Sequence, residues 1–138
     1  MQIGRHEVWV GWGDVDAASI VYYPKYFHWF DNSTNLLFEQ VGLPVTTLAD
    51  RFGIFAIPIV DTGARFLLPS KFGDRFIVES HVSHWSTKSF RVSHKVLKGE
   101  QIAVEGHEVR VWASHHPDDP ERFITTPIPQ EAKDLFNR

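Results

Sequence analysis

Two aspartates, Asp14 and Asp16, stand in the run Gly13-Asp14-Val15-Asp16-Ala17-Ala18-Ser19, just ahead of a segment that reads as a helix from Pro24. A helix start carries unpaired N–H groups and a partial positive charge of roughly half an elementary charge. A thioester or ester carbonyl lodged there is polarised, because negative charge develops on its oxygen during attack. A carboxylate on the other side of the carbonyl can attack the carbon or activate a water. That assembly opens an ester-like bond without serine, cysteine or metal. The same aspartates have a plainer use as cap or turn residues, and spacing alone leaves both uses open.

Other chemistries are narrowed by composition. The chain has no cysteine, which removes disulfides, thiolate nucleophiles and Cys-based zinc sites. No G-x-S-x-G elbow occurs, so an α/β-hydrolase triad is not expected. There are eight histidines, but the closest groupings, His115-His116 and His81 with His84, give no ligand set; His81 and His84 fall on opposite faces of a strand. No metal and no cofactor are expected. A net charge of −3 argues against general nucleic-acid binding, which needs a basic face. The N-terminal run lacks the apolar core of a signal peptide, and no apolar run is long enough to span a membrane. The expected location is the cytoplasm.

The elements that must position the acids follow from patterning. His6 to Trp12 alternates and reads as a strand, and residues 13–19 as a loop. The helix runs from about Pro24 to Val41: proline suits its first turn, Gly42 fits the C′ position and Pro44 blocks continuation. Tyr26, Phe30, Leu37 and Val41 fall near one face, joined by Phe27, Trp29, Leu36 and Phe38, so burial on more than one side is expected. Ser33, Thr34 and Asn35 are poor helix formers in its middle, which points to a partner subunit or a pocket beside Asp31.

After a short helix or loop at 45–53 the chain is mostly strand. Phe55 to Leu68 is a candidate, with Pro58 marking an edge or a bend. Phe76, Val78 and Val82 alternate against Ile77, Glu79 and His81, and Phe90, Val92, His94 and Val96 against Arg91, Ser93 and Lys95. Lys98-Gly99-Glu100 is a hairpin turn, Ile102 to Ala113 the last long strand, and Gln130 to Phe136 a short terminal helix. The length of 138 residues suits one domain over the whole chain. One strand, a long helix and then four strands imply an α+β layer, a curved antiparallel sheet wrapped round a central helix. Its open edges make pairing with a second copy the expected solution.

The run from Gly13 through Asp16, Ile20-Val21-Tyr22-Tyr23-Pro24 and Trp29-Phe30-Asp31 resembles the N-terminal motif of the 4-hydroxybenzoyl-CoA thioesterase family. Trp85-Ser86-Thr87-Lys88-Ser89-Phe90 resembles that family's W-x-x-K-S-F stretch. The resemblance implies a hotdog fold and hydrolysis of an acyl-CoA thioester. Its catalytic carboxylate falls on Asp16, and its carbonyl-polarising backbone N–H falls on Tyr23, which fits a donor placed just before a proline. The aspartate that binds the 4-hydroxyl of the substrate ring falls on Asp31. Trp29 and Phe30 beside it favour an aromatic acyl group, and His28, one turn before Asp31, is a candidate pocket contact.

For the CoA phosphates the candidates are Lys88, Arg91, Lys71 and Arg75, with Arg65 and Arg110 behind them. The resemblance further implies a homo-oligomer, a dimer or a dimer of dimers, with the site at a subunit interface. The favoured substrate is 4-hydroxybenzoyl-CoA. The alternatives are a thioesterase for short or medium aliphatic acyl-CoAs, in which glutamate is common at the Asp31 position, and a non-catalytic acyl-CoA-binding module. A hotdog dehydratase lacks support, since no matching histidine motif is present. The chain departs from its relatives at Ala17 and Ser19, where they carry proline and glycine. If that glycine position needs φ > 0, Ser19 bears strain of roughly 1 kcal/mol.

Overall fold

A computed structural model describes residues 1–138. The elements are β1 (Gly4–Trp9), α1 (Pro24–Gln40), α2 (Leu48–Phe52), β2 (Ile59–Phe66), β3 (Arg75–Trp85), β4 (Ser89–Lys98), β5 (Gln101–Val111), β6 (Ala113–His115), β7 (Phe123–Thr125) and α3 (Gln130–Phe136). Five strands form one antiparallel sheet in the order β1-β3-β4-β5-β2, and β6 pairs with β7 apart from it. The sheet packs round α1, which is the hotdog arrangement. No helix is long and apolar enough to cross a membrane.

Helix α1 begins with Pro24 and ends on Gly42 at φ +83°, where the N–H groups of Gly42 and Leu43 return to the carbonyls of Glu39 and Phe38. Its buried stripe is Tyr26, Trp29, Phe30, Ser33, Thr34, Leu37 and Phe38, the i, i+3, i+4, i+7 spacing of a helix laid on a core. The facing residues come from alternate positions: Phe76, Val78, Ser80 and Val82 on β3, and Phe90, Val92, His94 and Val96 on β4. Two apolar clusters result. One gathers Leu37, Phe38, Val92, Trp112 and Phe136; the other gathers Val8, Tyr26, Trp29, Phe30 and Val78.

The middle of α1 corrects one expectation. Ser33 and Thr34 face the sheet: Ser33 Oγ lies 3.2 Å from His6 Nδ1, and Thr34 Oγ1 donates to Glu108. Only Asn35 of the trio lines a cavity. The strand expected over His6 to Trp12 occupies Gly4–Trp9 instead, because its partner β3 begins at Arg75, opposite Trp9. Trp12 to Asp14 then form one turn of 3-10 helix. Pro58 stands just before β2, where its missing N–H removes no ladder bond. The turn between β4 and β5 is centred on Gly99 at φ +62°, with Lys98 opposite Gln101.

Candidate active site

The loop before α1 is a tight hairpin. Val15 bridges Val21, the Asp16 N–H bonds the Ile20 carbonyl at 3.0 Å, and the Ser19 N–H bonds the Asp16 carbonyl at 2.9 Å. Ser19 is the one non-glycine residue with positive φ, at 65°. The two acids separate here. The Asp14 carboxylate accepts the Gly11 N–H at 2.8 Å and stands 3.6 Å from Lys25 Nζ, so it serves the loop. Asp16 is exposed; its Oδ1 accepts the Ala18 N–H at 2.8 Å and its Oδ2 has no partner. Asp16 thus lies across the hairpin from Ile20, which lines the cavity described next.

At the helix start no side chain provides a cap, and the first turn contains no acid. The Lys25 N–H bonds the Tyr22 carbonyl at 2.9 Å and the Tyr26 N–H bonds the Tyr23 carbonyl at 3.1 Å. Pro24 has no N–H. The Tyr23 N–H therefore remains as a donor without a partner, at the positive end of a 17-residue helix. Beside it opens a cavity of about 240 Å³ whose walls include Ile20, Val21, Tyr23, Tyr26, Phe66 and Ser70. The Ser70 hydroxyl is buried there without a hydrogen bond. Burial raises the Tyr26 phenol above its usual range, with the neighbouring Ser70 hydroxyl pulling the other way. An unpaired backbone donor over an apolar cleft, with a carboxylate on the adjoining hairpin, supplies the parts of an oxyanion site and a nucleophile or base.

Asp31 sits two turns further along α1, a rise of about 12 Å from Tyr23. It belongs to a different assembly. Arg110 Nη2 reaches its Oδ1 at 2.6 Å, and the same guanidinium holds Glu108 through Nε at 3.2 Å and Nη2 at 3.1 Å. His94 Nε2 is 3.2 Å from Glu108 Oε1, and Ser80 Oγ is 2.6 Å from His94 Nδ1. Burial alone would raise the Glu108 carboxyl; the His94 hydrogen bond and the Arg110 charge outweigh it and hold the group at about 2. Ser80, His94 and Glu108 are in the order of a serine–histidine–acid relay. All three are sealed between helix and sheet, at 0%, 1% and 1% exposure. They therefore organise the core and do not meet substrate. A second cavity of about 460 Å³ borders Arg110, with Asn35, Leu48, Phe55 and Ile57 among its walls.

Other residues singled out from the sequence lie elsewhere. Trp29 packs edge-on against Tyr26 and Phe76, at 5.4 and 5.3 Å between centroids, and lines neither cavity of the single chain. His28 is exposed, with its Nε2 3.4 Å from Asn32 Nδ2. Lys71 lines a small recess that shares Ile20, Pro69 and Ser70 with the Tyr23 cavity, and Arg75 stands nearby on β3, 3.5 Å from Glu7. Lys88 and Arg91 are at the opposite end of the sheet, Arg91 being paired with His84. His84 lies nine positions along β3 from Arg75, roughly 30 Å. One chain thus presents two basic pairs rather than one group of four.

Sequence reasoning missed the Glu108–Arg110 pair, setting Arg110 aside as a weak phosphate contact. Their i, i+2 spacing puts both on one face of β5, and that face is the buried one. Alternation places His94 among the inward-facing residues, which is the one available signal that something polar lies inside. Lys98, whose Nζ bonds the Pro69 carbonyl at 3.0 Å and Asp74 at 3.2 Å, was also missed.

Comparison with known proteins matches this geometry to a family. The model of the thioesterase-like superfamily matches residues 10–135. The 4-hydroxybenzoyl-CoA thioesterase of Pseudomonas sp. (strain CBS-3) is 32% identical over 133 residues, covering 91% of this chain and 92% of that one. A 1,4-dihydroxy-2-naphthoyl-CoA hydrolase of Prochlorococcus marinus (strain MIT 9515) is 28% identical over 128 residues, covering 83% and 84%. The solved structure of the Pseudomonas enzyme superposes with a TM-score of 0.85 at 28% identity, covering 98% of this chain and 99% of that one. A gentisyl-coenzyme A thioesterase superposes with a TM-score of 0.81 at 30% identity, covering 97% and 99%. In sequence over nearly its whole length and in fold, the chain belongs to the thioesterase-like superfamily.

Proposed function

We propose that this thioester hydrolase acts on the CoA thioester of a hydroxylated aromatic acid, with 4-hydroxybenzoyl-CoA as the favoured substrate and 4-hydroxybenzoate and CoA as products. The observation that carries the reading is the unpartnered Tyr23 N–H at an uncapped helix start, opening on an apolar cavity beside the Asp16 hairpin. The N–H takes the negative charge that builds on the thioester oxygen. Asp16 either attacks the carbonyl carbon, giving an anhydride that water then opens, or takes a proton from the water that attacks. In both routes CoA leaves as its thiol and one water is consumed.

Asp31 is proposed to bind the ring hydroxyl. It shares no cavity with Tyr23 in one chain, and the sheet edge supplies a way to unite them. β2 is an edge strand with Val60 and Phe66 exposed at 57% and 49%, an edge that asks for a partner. Antiparallel pairing of two β2 strands about a two-fold axis lays the Phe66 end of one against the Ile59 end of the other. The Tyr23 cavity borders Phe66, and the Arg110 cavity borders Ile57 and Pro58. A dimer of this kind brings the thioester end from one copy towards the Asp31 end of its mate. It also brings the Lys88–Arg91 end of one sheet towards the Lys71–Arg75 end of the other, so both basic pairs serve one CoA.

Thiol release from a panel of 4-hydroxybenzoyl-, benzoyl-, 1,4-dihydroxy-2-naphthoyl- and hexanoyl-CoA tests the substrate class. The first is expected to give the highest kcat/KM; a preference for hexanoyl-CoA would overturn the reading. Asp16→Asn is expected to abolish turnover while the protein stays folded and keeps its CoA affinity. Substantial turnover in that variant would remove Asp16 from the chemistry. Sedimentation analysis is expected to show a dimer or a larger even assembly.

A further inference from the structure

Arg110 is 5% exposed, and each of its nitrogens is engaged. Nε and Nη2 hold the two oxygens of Glu108 at 3.2 and 3.1 Å, Nη1 donates to the Ile57 carbonyl at 3.0 Å, and Nη2 also reaches Asp31 Oδ1 at 2.6 Å. Glu108 in turn is held by the Thr34 hydroxyl and by His94, which is itself fixed by Ser80 and by the ring of Phe30 stacked at 4.7 Å. The guanidinium is thus set in place from α1, β3, β4 and β5 and has no freedom to follow Asp31. Asp31 is different: its side chain is 46% exposed, and its Oδ2 makes no hydrogen bond.

We infer that Arg110 is a positioning residue that sets acyl-group selectivity, by locking Asp31 so that its second oxygen accepts a hydrogen bond from a hydroxyl on the acyl ring. The inference rests on Asp31 being the ring contact proposed above. A carboxylate oxygen accepts and cannot donate, so it distinguishes a ring bearing a hydroxyl from one without it. Direction is what the buried cation adds. An aspartate free to rotate on an exposed helix face would have to be ordered by each substrate, which weakens the contact. An aspartate already fixed at one oxygen presents the other in one place. The Arg110 cavity, with Leu48, Phe55 and Ile57 in its walls, is an apolar recess bordering the guanidinium that holds Asp31.

The experiment is the ratio of kcat/KM for 4-hydroxybenzoyl-CoA over benzoyl-CoA, by thiol release, in the wild type, Asp31→Asn, Arg110→Lys and the double variant. A lysine keeps the charge but cannot serve Glu108, Ile57 and Asp31 at once. Each single change is expected to lower the ratio about tenfold, the scale of one hydrogen bond to a charged group. The double variant is expected to fall no further than Asp31→Asn alone, since both changes remove one contact. A merely structural Arg110 would slow both thioesters alike. An unchanged ratio in Arg110→Lys, with a lowered ratio in Asp31→Asn, overturns the inference and leaves the ring contact standing. An unchanged ratio in Asp31→Asn, or no preference in the wild type, instead removes the ring contact itself. If Arg110→Lys does not fold, Glu108→Gln with Arg110→Met replaces it: no unpaired charge stays buried, and the same ratio decides.

Discussion

The ring of Phe30 lies flat on the imidazole of His94, 4.7 Å between centroids and 5° from parallel, in the gap left by Gly106. A side chain at position 106 has nowhere to go. A Cβ there would lie 2.8 Å from Phe30 Cζ and closer still to Cε2. Phe30 is fully buried and cannot swing out of the way. Gly106→Ala is therefore expected to destabilise the protein by about 1–3 kcal/mol, the usual range for overpacking a dense core. Chemical denaturation measures it. An unchanged midpoint would mean that the ring relaxes more easily than its surroundings suggest.

Acid sensitivity follows from the same buried group. The Glu108 carboxyl is depressed to about 2 from an ordinary 4.5 by His94 and Arg110, which outweigh burial. A depressed acid stabilises the fold fully above its unfolded pKa and loses that contribution as pH falls through the folded one. Stability is thus expected to drop between about pH 4.5 and 2, by about 3 kcal/mol from this group. Glu108→Gln is expected to be less stable at neutral pH and to show a shallower acid limb. Parallel limbs in the two proteins would place the acid transition in other carboxylates.

The fold was largely legible because its signals are local and periodic. The proline that opens α1, the glycine after it and the alternation of β3 and β4 each read correctly. The loop was legible in part: the motif singles out Ser19 as the residue that bears strain if its position needs φ > 0, and its φ of 65° lies in that region. The buried network was not legible. Ser80, His94 and Glu108 come from three strands, and only registers such as Ser80 opposite His94 and His94 opposite Gly106 bring them together. Pairing register is a property of the whole sheet, fixed by which faces are buried. For the same reason Lys71 and Arg91 look equivalent in sequence and lie at opposite ends of the sheet.

Ser70 gives a prediction of opposite sign. Its hydroxyl is buried, 2% exposed as a residue, and stands beside the Tyr26 phenol without a well-aligned hydrogen bond. An unsatisfied buried hydroxyl costs about 1–3 kcal/mol. Ser70→Ala is expected to raise the melting temperature, where most core truncations lower it. If the hydroxyl meets the substrate in the Tyr23 cavity, the stabilised variant will also show a lower kcat/KM. A lower melting temperature would mean that the hydroxyl has a partner after all.

Ser19 ties strain to the site. It holds a left-handed conformation at φ 65° in the hairpin that carries Asp16, and its N–H closes that hairpin on the Asp16 carbonyl at 2.9 Å. For a residue with a Cβ this conformation costs about 1–2 kcal/mol. Glycine removes the cost but adds freedom to the unfolded chain, worth about 0.4–1 kcal/mol in the other direction. Ser19→Gly is therefore expected to gain stability by a net of about 0.5–1 kcal/mol, read as a small rise in melting temperature. The backbone path suits glycine without adjustment, so the Asp16 hairpin should keep its shape and turnover of the best thioester should stay near wild type. A large loss of kcat with raised stability would give the result another meaning: the serine would be holding Asp16 in place, and the strain would be part of the catalytic loop rather than a tolerated cost.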